Sequence, residues 1–210
     1  MGRGGRAGRV LTHVDAGAHP FVARVARALA TRPGVPADRD GTFREAAVAL
    51  VLRPIAVDDA ELLLIRRAER ADDPWSGQIG LPGGGVDATD ASLAHTAIRE
   101  TREEVGLDLD REGQVLGALD DLRPRTPHLP SIIVRPFVTV YTGDPAVTIS
   151  DEVADARWIP LSALRRPEAR LRTTVRARGF MFDVEAVQHD DFTIWGMTER
   201  ILTGFEGLLR

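Results

Sequence analysis

Three glutamates, Glu100, Glu103 and Glu104, follow Arg99 and stand just before Gly106 in "RETREEVGL". On a helix, carboxylates three or four positions apart repel by roughly 0.2–0.5 kcal/mol per pair. At a helix C-terminus they also oppose the backbone dipole. A solvated acidic face is the simplest explanation. A local rule broken without evident gain, however, is expected at a functional site, and a divalent cation removes the penalty. Hard ions such as Mg2+ take carboxylates together with phosphate oxygens, so Glu100, Glu103 and Glu104 are candidate metal ligands. Upstream, Gly83, Gly84 and Gly85 form a glycine turn. Such a turn lets the backbone approach a ligand closely, or is no more than a sharp bend.

The elements that must position these residues follow from periodicity. A helix is expected over 90–105, with Asp90 as N-cap and Gly106 as the glycine that ends it. At about 100° per residue, Leu93, Ala94, Ala97, Ile98, Thr101 and Val105 fall on one core-facing arc. Glu100 and Glu104 share an edge of that arc, Glu103 lies slightly further round, and His95 and Arg102 face away. The runs 43–54 and 60–67 read as strands buried on both faces, and 114–122, 131–141 and 154–161 as further strands. Residues 20–31 form a short amphipathic helix and 193–209 a closing helix, with Ile194, Met197, Ile201 and Leu208 as core contacts. Mixed strands and helices around one glycine-rich turn indicate an α/β or α+β sandwich.

Composition narrows the chemistry. The 210 residues suit one domain: a flexible Arg/Gly-rich tail over 1–19, then a single unit over 20–210. There is no cysteine, which removes disulfides, thiolate nucleophiles and Cys-bound zinc, and which fits a reducing compartment. All 27 Lys+Arg residues are Arg, so any phosphate clamp is built from guanidinium groups. The net charge of −4 argues against general nucleic-acid or membrane binding. The N-terminal segment lacks the apolar stretch of a secretory signal.

Residues 83–107, "GGGVDATDASLAHTAIRETREEVGL", resemble the Nudix box, G-x5-E-x7-R-E-U-x-E-E-x-G-U with U aliphatic. Arg99, Glu100, Glu103, Glu104, Gly106 and Leu107 match, and Thr101 stands at the first aliphatic place. Counting from Gly84 puts Asp90 at the first acidic place, with eight residues before Arg99. That spacing is similar to the coenzyme A pyrophosphatase subgroup, as are Leu63–Ala68 with Gly77–Gly84 upstream and "IWGMTERIL" near the C-terminus.

The resemblance implies a Nudix-type α/β/α sandwich with a mixed central sheet. It also implies hydrolysis of a nucleoside diphosphate linked to another moiety, coenzyme A or an acyl-CoA first among them. Glu100, Glu103 and Glu104 would hold Mg2+, with Mn2+ as substitute, and a Gly83–Gly85 carbonyl would be an extra ligand. Arg99 would hold a ligand carboxylate in place, and Asp90 would cap the helix or support the turn. The general base would be Glu103 or, from another loop, Glu152. Arg66 and Arg67 leave a central strand towards the site, where one would hold a phosphate. Trp75 would stack on a base or join the core. The six Arg of 165–178 would meet a phosphate or form a solvated surface, and His128 sits on a loop with no assigned role. A homodimer and a cytoplasmic location complete the expectation. The alternatives are ADP-ribose, nucleotide-sugar or oxidised-nucleotide hydrolysis, and a nucleotide-sensing Nudix-fold module without catalysis.

Overall fold

The computed structural model describes residues 19–71, 73–124, 131–177 and 179–210. Residues 1–18 of the expected tail, and His128, lie outside them. The chain runs α1 (Pro20–Thr31), β1 (Arg44–Pro54), β2 (Ala60–Arg67), β3 (Ile79–Gly80), β4 (Gly83–Gly85), α2 (Leu93–Val105) and α3 (Leu109–Glu112). It continues through β5 (Gly113–Ala118), β6 (Ile132–Tyr141), β7 (Val153–Pro160), α4 (Leu161–Leu164), β8 (Arg170–Ala177), β9 (Phe180–His189), β10 (Phe192–Trp195) and α5 (Gly196–Leu208).

The larger sheet has the order β3-β2-β1-β6-β5, with β4 also on β1 and β7 also on β2. Its centre is the parallel β1–β6 pair, while β2, β4, β5 and β7 join antiparallel, so the sheet is mixed. Strand alternation sorts β1 between two cores. Ala47, Ala49 and Val51 pack with Ala97 and Val105 of α2, whereas Leu50 and Leu52 pack with Phe21 and Val25 of α1 and Ile201 and Phe205 of α5. Helices therefore cover both faces, which gives the sandwich expected from the sequence. No described helix is long and apolar enough to cross a membrane.

Two local expectations need correction, and one run without an expected element gains one. The glycine turn is a strand: Gly83–Gly85 pairs with Ala46–Val48. The closing helix begins later, because Phe192–Trp195 pairs with β9 and Gly196, at φ 68°, redirects the chain into α5. The arginine-rich 165–178 run contributes β8, which pairs with β9 in a second sheet ordered β10-β9-β8. The alternation along β8 puts Arg170, Arg172 and Arg176 in solvent.

Candidate active site

Helix α2 starts at Leu93. Its N-cap is Ser92, whose side chain accepts from the His95 N–H, and it ends on Gly106 at φ 74°. Asp90 is thus not the cap. Its carboxylate accepts from Arg99 Nε at 2.9 Å and Nη2 at 3.0 Å, from Thr96 Oγ1 at 2.8 Å and from the Asp87 N–H at 2.9 Å. The guanidinium beside it holds Asp90 well below the usual carboxylate range. Asp90 is an anchor for Arg99, which sequence spacing alone ties to the box only as an irregularity ahead of it.

Arg99 converts that anchor into geometry. Its Nη1 donates to Glu100 Oε1 and to Glu103 Oε2, both at 2.9 Å, and its Nη2 donates to the Gly85 carbonyl at 3.2 Å. One planar cation, fixed bidentately by Asp90, joins two of the glutamates to the glycine strand. Glu103 is 59% exposed and Glu100 15% exposed. Burial pushes the Glu100 carboxyl up, against the pull of Arg99.

Glu104 occupies the inner edge of the helix, as the helical arc predicts. It is 2% exposed, accepts from the Gly83 N–H at 2.8 Å and has Arg67 Nη1 3.8 Å away. Burial outweighs these partners and raises its carboxyl to about 7. A buried carboxylate with so little compensation is unfavourable as an anion.

Two of the glycines are required by close approach. A Cβ at Gly83 would stand 2.3 Å from the Ala47 carbonyl oxygen, and φ there is 150°. A Cβ at Gly84 would stand 2.6 Å from the Glu100 carboxyl carbon, so any larger residue there displaces that carboxylate. Gly85 contributes its carbonyl to Arg99.

The remaining expected site residues divide among three places. Arg67 donates Nε to Asp73 Oδ2 at 2.9 Å, and Asp73 Oδ1 accepts from the Trp75 N–H at 2.9 Å. Arg67 and Trp75 therefore meet at one wall of the cleft that the glycine strand borders. A β-bulge between Arg66 and Arg67 separates the two arginines. Arg66 turns to Asp191 at 2.6 Å and lies over the Phe192 ring, away from the glutamates. Glu152 pairs with Arg70 at 2.9 Å. Its charge nonetheless pushes up the carboxyls of Glu100 and Glu104, so it shares their field.

As the side chains stand, no group of three or more acidic or histidine residues among the described residues is arranged to hold a metal ion. Arg99 draws Glu103 outward, and Glu104 faces the Gly83 N–H. The donor set itself suits a hard divalent cation, being carboxylate oxygen throughout. The under-compensated Glu104 is the observation that favours one.

A model of the NUDIX domain matches residues 43–181. The chain belongs to the Nudix family. Divalent cations are the general cofactors of Nudix hydrolases. Among its relatives, the Uncharacterized Nudix hydrolase NudL of Enterobacter sp. (strain 638) is 32% identical over 160 residues, covering 76% of this chain and 79% of that protein. Uncharacterized protein C14C4.10c of Schizosaccharomyces pombe is 39% identical over 118 residues, covering 54% of this chain and only 36% of that longer protein. A MutT/nudix family protein from Enterococcus faecalis superposes with a TM-score of 0.55 at 18% identity, over 82% of this chain and 64% of that one. That likeness is one of fold. Sequence reasoning missed Asp90 as the arginine's anchor and Asp73 as the link between Arg67 and Trp75. Both act across loops, where no periodicity signals a partner.

Proposed function

We propose that this Nudix pyrophosphohydrolase splits the diphosphate of coenzyme A or an acyl-CoA, with Mg2+ held by Glu100, Glu103 and Glu104. Mn2+ would serve in its place. The carrying observation is the wiring of Glu100 and Glu103 through one Asp90-anchored guanidinium, beside a buried Glu104 whose carboxyl is raised to about 7. Bound there, a divalent ion supplies charge neutralisation and a water of lowered pKa.

The chain's own residues do the rest. Arg99 positions Glu100 and Glu103. The glycine strand keeps side chains away from Glu100, which leaves its carboxylate room to hold a cation beside the strand. Arg67, already held by Asp73, meets the negative charge of the diphosphate. Glu103, the most exposed of the three, or Glu152, once released from Arg70, takes the proton of the attacking water. Trp75 offers a ring face at the cleft wall. Arg66 would join only by leaving Asp191.

Coenzyme A is favoured over other diphosphates by the likeness of 63–84 to the coenzyme A pyrophosphatase subgroup. A homodimer and a cytoplasmic setting belong to the same proposal. The test is a panel of coenzyme A, ADP-ribose, dinucleoside polyphosphates and oxidised dGTP incubated with the protein and Mg2+. Preferred cleavage of coenzyme A supports the proposal. Preference for another member reassigns the substrate, and cleavage of none supports a sensing module instead.

A further inference from the structure

The second sheet ends in a two-stranded ribbon. Over residues 172–177 and 180–185, β8 and β9 pair only with each other, because β10 joins β9 along 186–189. The register sets Thr173 opposite Val184, Val175 opposite Phe182 and Ala177 opposite Phe180, so these residues share one face. Arg172 opposite Glu185, Thr174 opposite Asp183 and Arg176 opposite Met181 share the other. On the first face Phe180 and Phe182 meet edge to face, with ring centroids 6.5 Å apart. They nonetheless stay 68% and 41% exposed.

An apolar side alternating with a charged side is the pattern of a strand in a β-sandwich, where the apolar side meets a second layer. A two-stranded ribbon in water is marginal without such a layer. The exposure of Phe180 and Phe182 means that the described chain does not supply it.

The chemistry of the two faces selects the occupant. The apolar face carries no charged residue, so an identical face can oppose it without burying an unpaired ion. The outer face is self-sufficient: Thr174 Oγ1 donates to Asp183 Oδ1 at 2.6 Å, and Arg172 stands opposite Glu185. With Arg172 and Arg176 balanced by Asp183 and Glu185, the ribbon has no basic stripe to hold an anionic membrane. Covering the exposed parts of the two rings and their aliphatic neighbours in both copies removes roughly 700 Å2 of apolar surface from water. At the ~60% apolar share of interfaces, that corresponds to roughly 1,200 Å2 in all, the low end for specific pairing.

We propose that the apolar face of the β8–β9 ribbon is a dimerisation surface. It packs on the same face of a second copy of this chain, forming a four-stranded sandwich centred on Phe180 and Phe182. The inference rests on the homodimer proposed above and gives it an address in the fold. It does not depend on the substrate.

The test is sedimentation velocity of the full chain, with a dissociation constant expected on the order of 10 µM for so small an interface. The wild type should pass reversibly from one chain to two between ~1 and ~300 µM. The double variant Phe180→Ser, Phe182→Ser should dimerise at least ~10-fold more weakly. Met181→Ser removes an equally exposed apolar side chain from the charged face, and should leave the dimer unchanged. Circular dichroism identifies the folded variants, and either phenylalanine substitution alone serves if the double variant does not fold. A wild type that stays monomeric overturns both the ribbon surface and the homodimer. A dimer unmoved by the phenylalanine substitutions overturns the surface and leaves the homodimer standing. Equal weakening by Met181→Ser also overturns the assignment to the apolar face. A monomer that sediments with phosphatidylcholine and phosphatidylglycerol vesicles gives the face to a membrane instead and overturns the inference.

Discussion

Replacing Glu104 with Gln should stabilise the metal-free protein at alkaline pH while abolishing its activity. The folded carboxyl is raised from 4.5 to about 7, because burial disfavours the anion more than Gly83 and Arg67 favour it. Folding therefore takes up a proton between these values, and stability falls as pH rises through that window, at ~1.4 kcal/mol per pH unit. The accumulated cost is ~3 kcal/mol by pH 8. Gln keeps an oxygen for the Gly83 N–H but carries no charge, so the variant lacks this penalty. Urea unfolding in the presence of a chelator, from pH 4 to pH 8, should find the two proteins similar at the acid end. By pH 8 Glu104→Gln should be ahead by ~1–3 kcal/mol, after allowance for its imperfect amide fit. Adding a divalent cation should then stabilise the wild type and leave the variant nearly unmoved. Parallel pH curves, or a variant less stable at pH 8, would refute the reasoning about Glu104.

Gly84→Ala places a methyl group 2.6 Å from the Glu100 carboxyl carbon. That carboxylate must move by about 1 Å, a misplacement that costs ~100-fold in turnover, while circular dichroism and Tm should change little. Asp90→Asn weakens the bidentate hold on Arg99 and should lower kcat ~10-fold or more. The same substitution tests an acid-side effect of opposite sign. Asp90 has a depressed folded pKa, so it stabilises the fold above the usual 3.8 and loses that contribution as pH falls. Urea unfolding should show the variant less stable by ~1–3 kcal/mol at neutral pH and converging on the wild type in acid.

Helix α2 was legible in the sequence because its determinants are local. Gly106 ends it and the 3.6-residue period carries Glu104 inward, so the burial of Glu104 and the exposure of Glu103 both follow from the arc. The helix start was less legible, since Asp90 and Ser92 are both good caps and only the fold directs Asp90 to an arginine nine positions away. Phe192–Trp195 carries an apolar pattern that merges with that of α5, and pairing with β9 decided in favour of a strand. Along β8 the density of arginine masked a period-two alternation, which the structure shows as solvent-facing charges alternating with half-buried Leu171, Thr173 and Val175. Residues 46, 75, 132 and 197 are far apart in sequence, and the cleft they line beside the glycine strand exists only through the crossing of β1, β6 and α5. Arg66 and Arg67 are adjacent yet diverge, because successive side chains of a strand point to opposite faces, and the register against β7 shifts between them.

The most direct measurement is the product analysis of coenzyme A incubated with Mg2+ and the wild type, Glu103→Gln or Glu104→Gln. The wild type should release 3′-phospho-AMP and phosphopantetheine in equal amounts, and both folded variants should be slower by orders of magnitude. Intact coenzyme A in the wild-type reaction would contradict the proposed substrate. Variants as active as the wild type would contradict the assignment of the catalytic site itself.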